Sequence, residues 1–132
     1  MSTVSPLSET LRRALMHPTN GVVGLVDELL QASRAHGLQL DWQADRCRVV
    51  TLGREGEEID VPLRKSVFRA ILARLAVLCN ERCPNSVSPY GGEGELSVGL
   101  NPETVFRVSF VNTPDEQKAE LMPVCPKANG PN

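Results

Sequence analysis

Two stretches in the second half of the chain decide the fold, a helix-like segment and a strand-turn-strand segment. They are RKSVFRAILARLAVLC (Arg64–Cys79) and TVFRVSFVNTPDEQKAEL (Thr104–Leu121). In the second, apolar and polar residues alternate, which predicts a half-buried strand with Phe106, Val108 and Phe110 facing inward. In the first, apolar residues recur at helical spacing and predict an amphipathic helix. Its apolar stripe comprises Val67, Phe68, Ile71, Leu72, Leu75, Leu78 and Cys79.

The sequence before the main helix predicts two further helices. One covers 5–16, with Ser5 as its N-cap, and the other covers 21–36, with Asn20 as its N-cap and Gly37 closing its end. Arg34 and His36 then fall in the last turn of the second helix, where positive charge suits the helix dipole. Pro62 is predicted to open the main helix, because its missing N–H costs little at the first helical position.

Strand-like patterns fill most of the remaining sequence. They predict strands over 38–43, 45–51, 57–61, 95–100, 104–112 and 118–124. The stretch 81–94 contains two prolines and a glycine cluster, and is predicted to be a loop. This order of elements predicts an α+β fold, an antiparallel sheet of about six strands with two or three helices mainly on one face. The predicted organisation is an N-terminal helical extension over 1–20, one domain over 21–124 and a disordered tail over 125–132.

Composition limits the classes of partner. The chain has 132 residues, of which 41% are hydrophobic and 23% charged, with a net charge of −2. This charge argues against broad electrostatic binding of nucleic acid or of anionic lipid. Neither a signal peptide nor an apolar run of the length that a membrane span needs is present, so we predict no membrane insertion and a cytoplasmic location.

The four cysteines allow two interpretations. Cys79 and Cys83 have a spacing that could hold zinc, with Cys47 and Cys125 completing four ligands. However, Cys79 continues the apolar stripe of the main helix and Cys47 lies in a predicted strand, as small core residues do. The paired CxxC signature is absent, so we predict reduced, metal-free cysteines.

Three segments resemble one bacterial domain family. VGLVDELLQA (Val23–Ala32) and AILARLAV (Ala70–Val77) are similar to its two helices, the second of which carries an Ile-Ser-Arg-Ile-Lys type motif. FRVSFVNTPDEQK (Phe106–Lys118) is similar to its Leu-Arg-Val-Ser-Thr-Leu-Pro-Thr, Gly-Glu-Lys segment. The chain thus resembles, over about 21–124, the PAS-like accessory domain that precedes the motor domain in type II secretion and type IV pilus assembly ATPases.

This chain departs from the family where the family approaches nucleotide. Val50 and Leu52 stand at positions of family arginines, and only Arg74, Arg82 and Arg107 lie in comparable places. The phosphate-binding loop of a motor, Gly-x-x-x-x-Gly-Lys-Ser/Thr, does not occur in the sequence. We therefore predict a protein that is not an enzyme and needs no cofactor.

The resemblance implies a protein-interaction or assembly module. Its candidate contact residues are Arg74, Arg82 and Arg107, together with Glu93 and Glu95 in the predicted glycine-rich loop. The implied partner is a protein of the secretion or pilus machinery, and a twofold homodimer through sheet edges is the simplest self-association. The alternative is a PAS-like sensor that binds a small molecule, which a pocket lined by convergent polar groups would favour.

Overall fold

The computed structural model describes residues 6–17, 21–34, 36–52, 56–99 and 103–124. Three helices and six strands follow one another along these segments. In chain order they are α1 (Pro6–Met16), α2 (Gly21–Ala32), β1 (Leu38–Gln43), β2 (Arg46–Thr51), β3 (Glu58–Pro62), α3 (Lys65–Arg82), β4 (Gly91–Val98), β5 (Thr104–Asn112) and β6 (Gln117–Pro123).

The strands form one antiparallel sheet in the order β3-β2-β1-β6-β5-β4. The short β1–β2 connection consists of Ala44 and Asp45, both at positive φ, the backbone conformation that matches the twist of a tight hairpin. The pairing of β1 with β6 joins the N-terminal and C-terminal strand groups. The predicted α+β class with an antiparallel six-stranded sheet is therefore confirmed.

The core lies between the sheet and the helices. On β5, Phe106, Val108 and Phe110 are buried while Arg107 and Ser109 are exposed, as the alternation predicted. The α3 stripe packs onto this face through Phe68, Ile71, Leu72, Leu75 and Cys79, all of them fully or almost fully buried. The helix α1 contacts α2 and β3, and its Leu11, Ala14 and Leu15 join the same core cluster.

The other face of the sheet is polar. Arg46 pairs with Asp60, and Arg48 pairs with Asp41 at 3.1 Å and with Glu58 at 3.7 Å. These ion pairs are exposed, and each such pair contributes about 0–1 kcal/mol to stability. This face is therefore suited to solvent, and the helices cover only the opposite face.

Two predicted helix boundaries were wrong. The helix α2 ends at Ala32 instead of 36, because the buried Ser33 hydroxyl donates back to the carbonyl of Leu30 at 3.0 Å and the chain turns there. Arg34 and His36 thus follow the helix. Pro62 ends β3 instead of opening α3, since an edge strand tolerates the missing N–H.

The predicted loop over 81–94 was wrong at both ends and right between them. The helix α3 continues to Arg82 and β4 begins at Gly91, so Glu93 lies in a strand. Glu95 lies in the same strand, as the prediction over 95–100 had it. The glycines permit close packing: a Cβ at Gly94 would lie 2.9 Å from Cγ1 of Val87 and 3.4 Å from Sγ of Cys79. The glycines at 91–94 therefore allow β4 to pack closely against α3 and against Val87 in the connection between them, and do not form a turn.

Several predictions fall outside the described residues. These are the N-caps Ser5 and Asn20, the tail over 125–132 and with it Cys125. Within the described ranges, the helices are all too short or too polar to cross a membrane.

Two of the cysteines are core residues, as predicted. Cys47 and Cys79 are free and buried, whereas Cys83 is free and exposed. Burial raises the pKa of Cys47 to about 12, with smaller contributions from the charges of Asp41 and Asp60, and burial raises the pKa of Cys79 to about 11.

We expect native protein carrying Cys125→Ser to be alkylated by iodoacetamide at Cys83 alone in mildly alkaline solution. The reason is that the thiolate is the nucleophile, and Cys47 and Cys79 stay protonated and enclosed. Peptide mass spectrometry measures the modified sites, and the same reaction in denaturant, where all three thiols should react, is the control. Rapid modification of Cys47 in the native protein would contradict this core arrangement.

Candidate functional site

The strand β4 forms an edge of the sheet and pairs with β5 alone among the described strands. Because hydrogen bonding in an antiparallel pair alternates along a strand, every second residue of β4 directs its backbone N–H and C=O away from β5. We call this outward side of Gly91–Val98 the β4 edge. It is eight residues long and contains no proline.

The opposite edge of the sheet has features that discourage strand addition. The strand β3 has five residues, ends in Pro62, carries the charged Glu58 and Asp60, and is contacted by α1. Short length, proline and charge are the usual protection of an edge strand. Of the two edges, β4 is therefore the one open to pairing with another chain.

An ion-pair cluster lies beside the β4 edge at the C-terminal end of α3. The Nε atom of Arg82 lies 3.8 Å from Oε1 of Glu95, and its Nη1 lies 3.3 Å from Oε2 of Glu103. We call these three residues the Arg82 corner. All three side chains remain more than one third exposed, so the corner is accessible to a partner.

Four of the five predicted site residues lie near this corner. Glu93 and Glu95 are two residues apart on β4 and so share one face of the sheet, while Arg107 is the cross-strand partner of Glu95 on β5. Glu93 and Arg107 are exposed and form no ion pair within the described part of the chain. The structure thus brings Arg82, Glu93, Glu95 and Arg107 together.

Arg74 occupies a different place. It lies in a cleft of about 400 Å³ between α2, α3 and the end of β4. Apolar side chains form most of the lining, and Asp27 and Ser97 contribute polar atoms. Sequence reasoning had grouped Arg74 with the other arginines by its likeness to a family motif, but the fold places it in this cleft and outside the ion pairs of the Arg82 corner.

The side chain of Asn80 supports the connection between α3 and β4. Its Oδ1 accepts from the backbone N–H of Ser86 at 2.8 Å and of Val87 at 3.0 Å, and its Nδ2 donates to the carbonyl of Val87 at 3.2 Å. Val87 is buried and packs beside Gly92 and Gly94 of β4. Asn80 therefore holds the segment that leads into the β4 edge.

Sequence reasoning missed Asn80, Glu103 and Asp27. A terminal helical asparagine followed by Ser86 and Val87 is a signal for a local side-chain cap, since such side chains bind nearby backbone groups. Glu103 and Asp27 carry no such signal, because ordinary exposed acids have the same appearance. Within the described ranges, no group of three His, Cys, Asp or Glu side chains has an arrangement that could hold a metal ion.

Comparison of this chain with protein-family models and with curated proteins finds no match.

Proposed function

We propose that this protein is a non-catalytic interaction module that binds an extended segment of a partner protein along the β4 edge. The observation that carries the proposal is the outer edge of β4, which no other described strand covers beyond the bridge between Ser88 and Gly91, whereas the opposite edge at β3 is protected. An added strand would gain main-chain hydrogen bonds from β4 and side-chain contacts from its exposed neighbours. The Arg82 corner would flank such a strand and contribute charge recognition.

Charge favours a basic partner segment over a second copy of this chain. If two copies of β4 paired about a twofold axis at Gly94, Glu93 of each copy would lie opposite Glu95 of the other, and like charges opposite each other destabilise a strand pair. A partner strand with Lys or Arg opposite Glu93 would instead gain a favourable pair. We therefore propose a heterologous protein partner, with the homodimer as the competing outcome.

The resemblance to the secretion-ATPase accessory domain directs the search for that partner. In that family the domain packs beside a motor domain and another subunit, so its surface serves docking. We propose that the partner is a cytoplasmic component of a type II secretion or type IV pilus machine. Loss of family arginines at Val50 and Leu52 fits protein contact in place of nucleotide contact.

The competing function is a small-molecule sensor, the alternative that the PAS-like resemblance raised. One observation favours it, the Arg74 cleft with its apolar lining and few polar groups. Pockets of about 300–1,000 Å³ with this composition are the usual sites for small ligands. The two functions are separable by experiment, because Arg74 and Asp27 of the cleft lie outside β4 and Glu93 of the β4 edge lies outside the cleft.

We expect a purified secretion or pilus motor protein to bind this chain and to slow hydrogen exchange at the β4 amides. Glu93→Lys should weaken that binding about 2- to 30-fold, because an opposite-charge cross-strand pair becomes a like-charge one. Calorimetric titration measures the affinity, and hydrogen exchange with mass spectrometry locates the contact. Glu28→Lys, the same charge change on the exposed surface of α2, is the matched control and should leave affinity unchanged.

Sedimentation of the purified protein completes the test. Protection confined to residues outside β4, or equal affinities of wild type and Glu93→Lys, would contradict the docking site. A stable dimer with protected β4 amides would show that a second copy of this chain, and not a heterologous partner, pairs with the β4 edge. A monomer that binds none of the machinery proteins would overturn the assignment to that machinery.

A further inference from the structure

The cleft at Arg74 contains an unsatisfied buried nitrogen. The Nε of Arg74 is enclosed and has no hydrogen-bond partner within the described part of the chain. A buried donor without a partner is costly, and more so when it belongs to a charged group. The described residues include one other half-buried arginine, Arg69, whose Nε donates to Oδ1 of Asn112 at 2.9 Å. Arg74 is thus the exception, with an enclosed and unsatisfied Nε, and its side chain is among those that line the cleft.

Apolar side chains from three elements line the cleft. Val26 and Leu30 of α2, Leu78 of α3 and Val98 of β4 line it, and Val23 at its rim is 56% exposed. An exposed valine beside a cleft leaves apolar surface that a ligand would remove from water. The cleft therefore combines an apolar body with one cationic group, which is the complement of an amphipathic anion.

Asp27 restricts the charge of that anion. It lies in the same cleft but forms no ion pair with Arg74. A carboxylate beside the guanidinium opposes groups of high negative charge, such as phosphates, more strongly than it opposes a single carboxylate. The planar guanidinium of an arginine matches a carboxylate in shape and can bind it through two hydrogen bonds.

We infer that the Arg74 cleft is a binding site for small amphipathic monocarboxylates. The carboxylate binds the guanidinium of Arg74, and the apolar chain packs against Val23, Leu78 and Val98. Such a ligand can be a fatty-acid-like anion or an apolar amino acid, whose ammonium group would approach Asp27. Arg74 lies outside β4 and Glu93 lies outside the cleft, so the test of this site and the test of the proposed function can fail separately.

The probes are octanoate, L-leucine, 1-octanol and inorganic phosphate, each titrated into the full chain. We expect octanoate or L-leucine to shift the NMR signals of Val23, Leu78 and Val98 in a saturable manner, with little effect of phosphate. Tighter binding of L-leucine would identify the amino-acid class, and Asp27→Asn should then weaken it. Tighter binding of octanoate would identify the fatty-acid class, and Asp27→Asn should then strengthen it.

Arg74→Gln and Arg74→Met should each weaken carboxylate binding about 10- to 100-fold, because a charge-assisted hydrogen bond is lost. Arg74→Lys should keep part of the affinity, and Arg12→Gln, at an exposed arginine of α1 outside the cleft, should keep all of it. If Arg74→Gln disturbs folding, Arg74→Met serves as the second variant, because its aliphatic side chain keeps the apolar contacts of the arginine stem. Equal binding of 1-octanol and octanoate, unchanged affinity in both Arg74 variants, or no saturable shift with either carboxylate would overturn the inference.

Discussion

Phe106→Ala is expected to lower the free energy of unfolding by about 3–5 kcal/mol. Phe106 is fully buried on β5, with Leu96 of β4 and Pro123 of β6 as its cross-strand partners. Truncation removes apolar contacts and leaves a cavity that the sheet and α3 can fill only in part. Urea unfolding followed by the fluorescence of Trp42, the single tryptophan, measures the loss.

The neighbouring Arg107 supplies the control. Its side chain lies on the exposed face of β5, so Arg107→Ala should change the free energy of unfolding by less than about 0.5 kcal/mol. The free energy of unfolding of a typical domain is about 5–15 kcal/mol, so the loss in Phe106→Ala could prevent folding. Phe106→Leu provides a milder second variant. Equal losses for Phe106→Ala and Arg107→Ala would contradict the assigned faces of β5.

The faces of strands and helices could be predicted because they depend on local periodicity. Phe106, Val108 and Phe110 follow a period of two, and side chains on a strand point alternately to its two faces. The α3 stripe follows the helical period in the same way, and its central members Ile71, Leu72 and Leu75 are buried. The strand alternation gives the sheet one apolar face, and the helical stripe gives α3 one apolar side. These two patterns together predict that helices cover one face of the sheet.

The β4 segment could not be predicted from composition, because glycine has two different structural uses. The composition of 91–94 is typical of a turn, yet at Gly94 a Cβ would lie 2.9 Å from Cγ1 of Val87, closer than real Cβ contacts. At Gly91, a Cβ would lie 2.8 Å from the carbonyl oxygen of Phe110. Close approach of two elements distant in sequence has no local signal.

Only part of the candidate site could be predicted, for a related reason. The family resemblance selected Arg74, Arg82 and Arg107 by sequence position alone, and position says nothing of partners in space. The fold pairs Arg82 with Glu95 and Glu103, places Arg107 beside Glu95, and leaves the Nε of Arg74 without a hydrogen-bond partner among the described residues. Which arginine is satisfied and which is free depends on tertiary contacts.

Asn80→Ala is expected to lower the free energy of unfolding by about 1–3 kcal/mol and to loosen the approach to β4. The amide side chain satisfies the N–H groups of Ser86 and Val87 and the carbonyl of Val87, and its removal leaves these groups without their partner. Hydrogen exchange should quicken at Ser86 and Val87, and urea unfolding measures the loss of stability.

Asn80→Asp separates the two halves of this interaction. A carboxylate keeps the acceptor for both N–H groups but lacks the donor to the carbonyl of Val87, so it should retain protection at Ser86 and lose less stability than alanine. Because Val87 packs against Gly94, the alanine variant should also weaken partner binding along the β4 edge, while carboxylate binding at Arg74 stays unchanged. Undiminished protection of Ser86 and Val87 in Asn80→Ala would show that the β4 edge is positioned without this side chain.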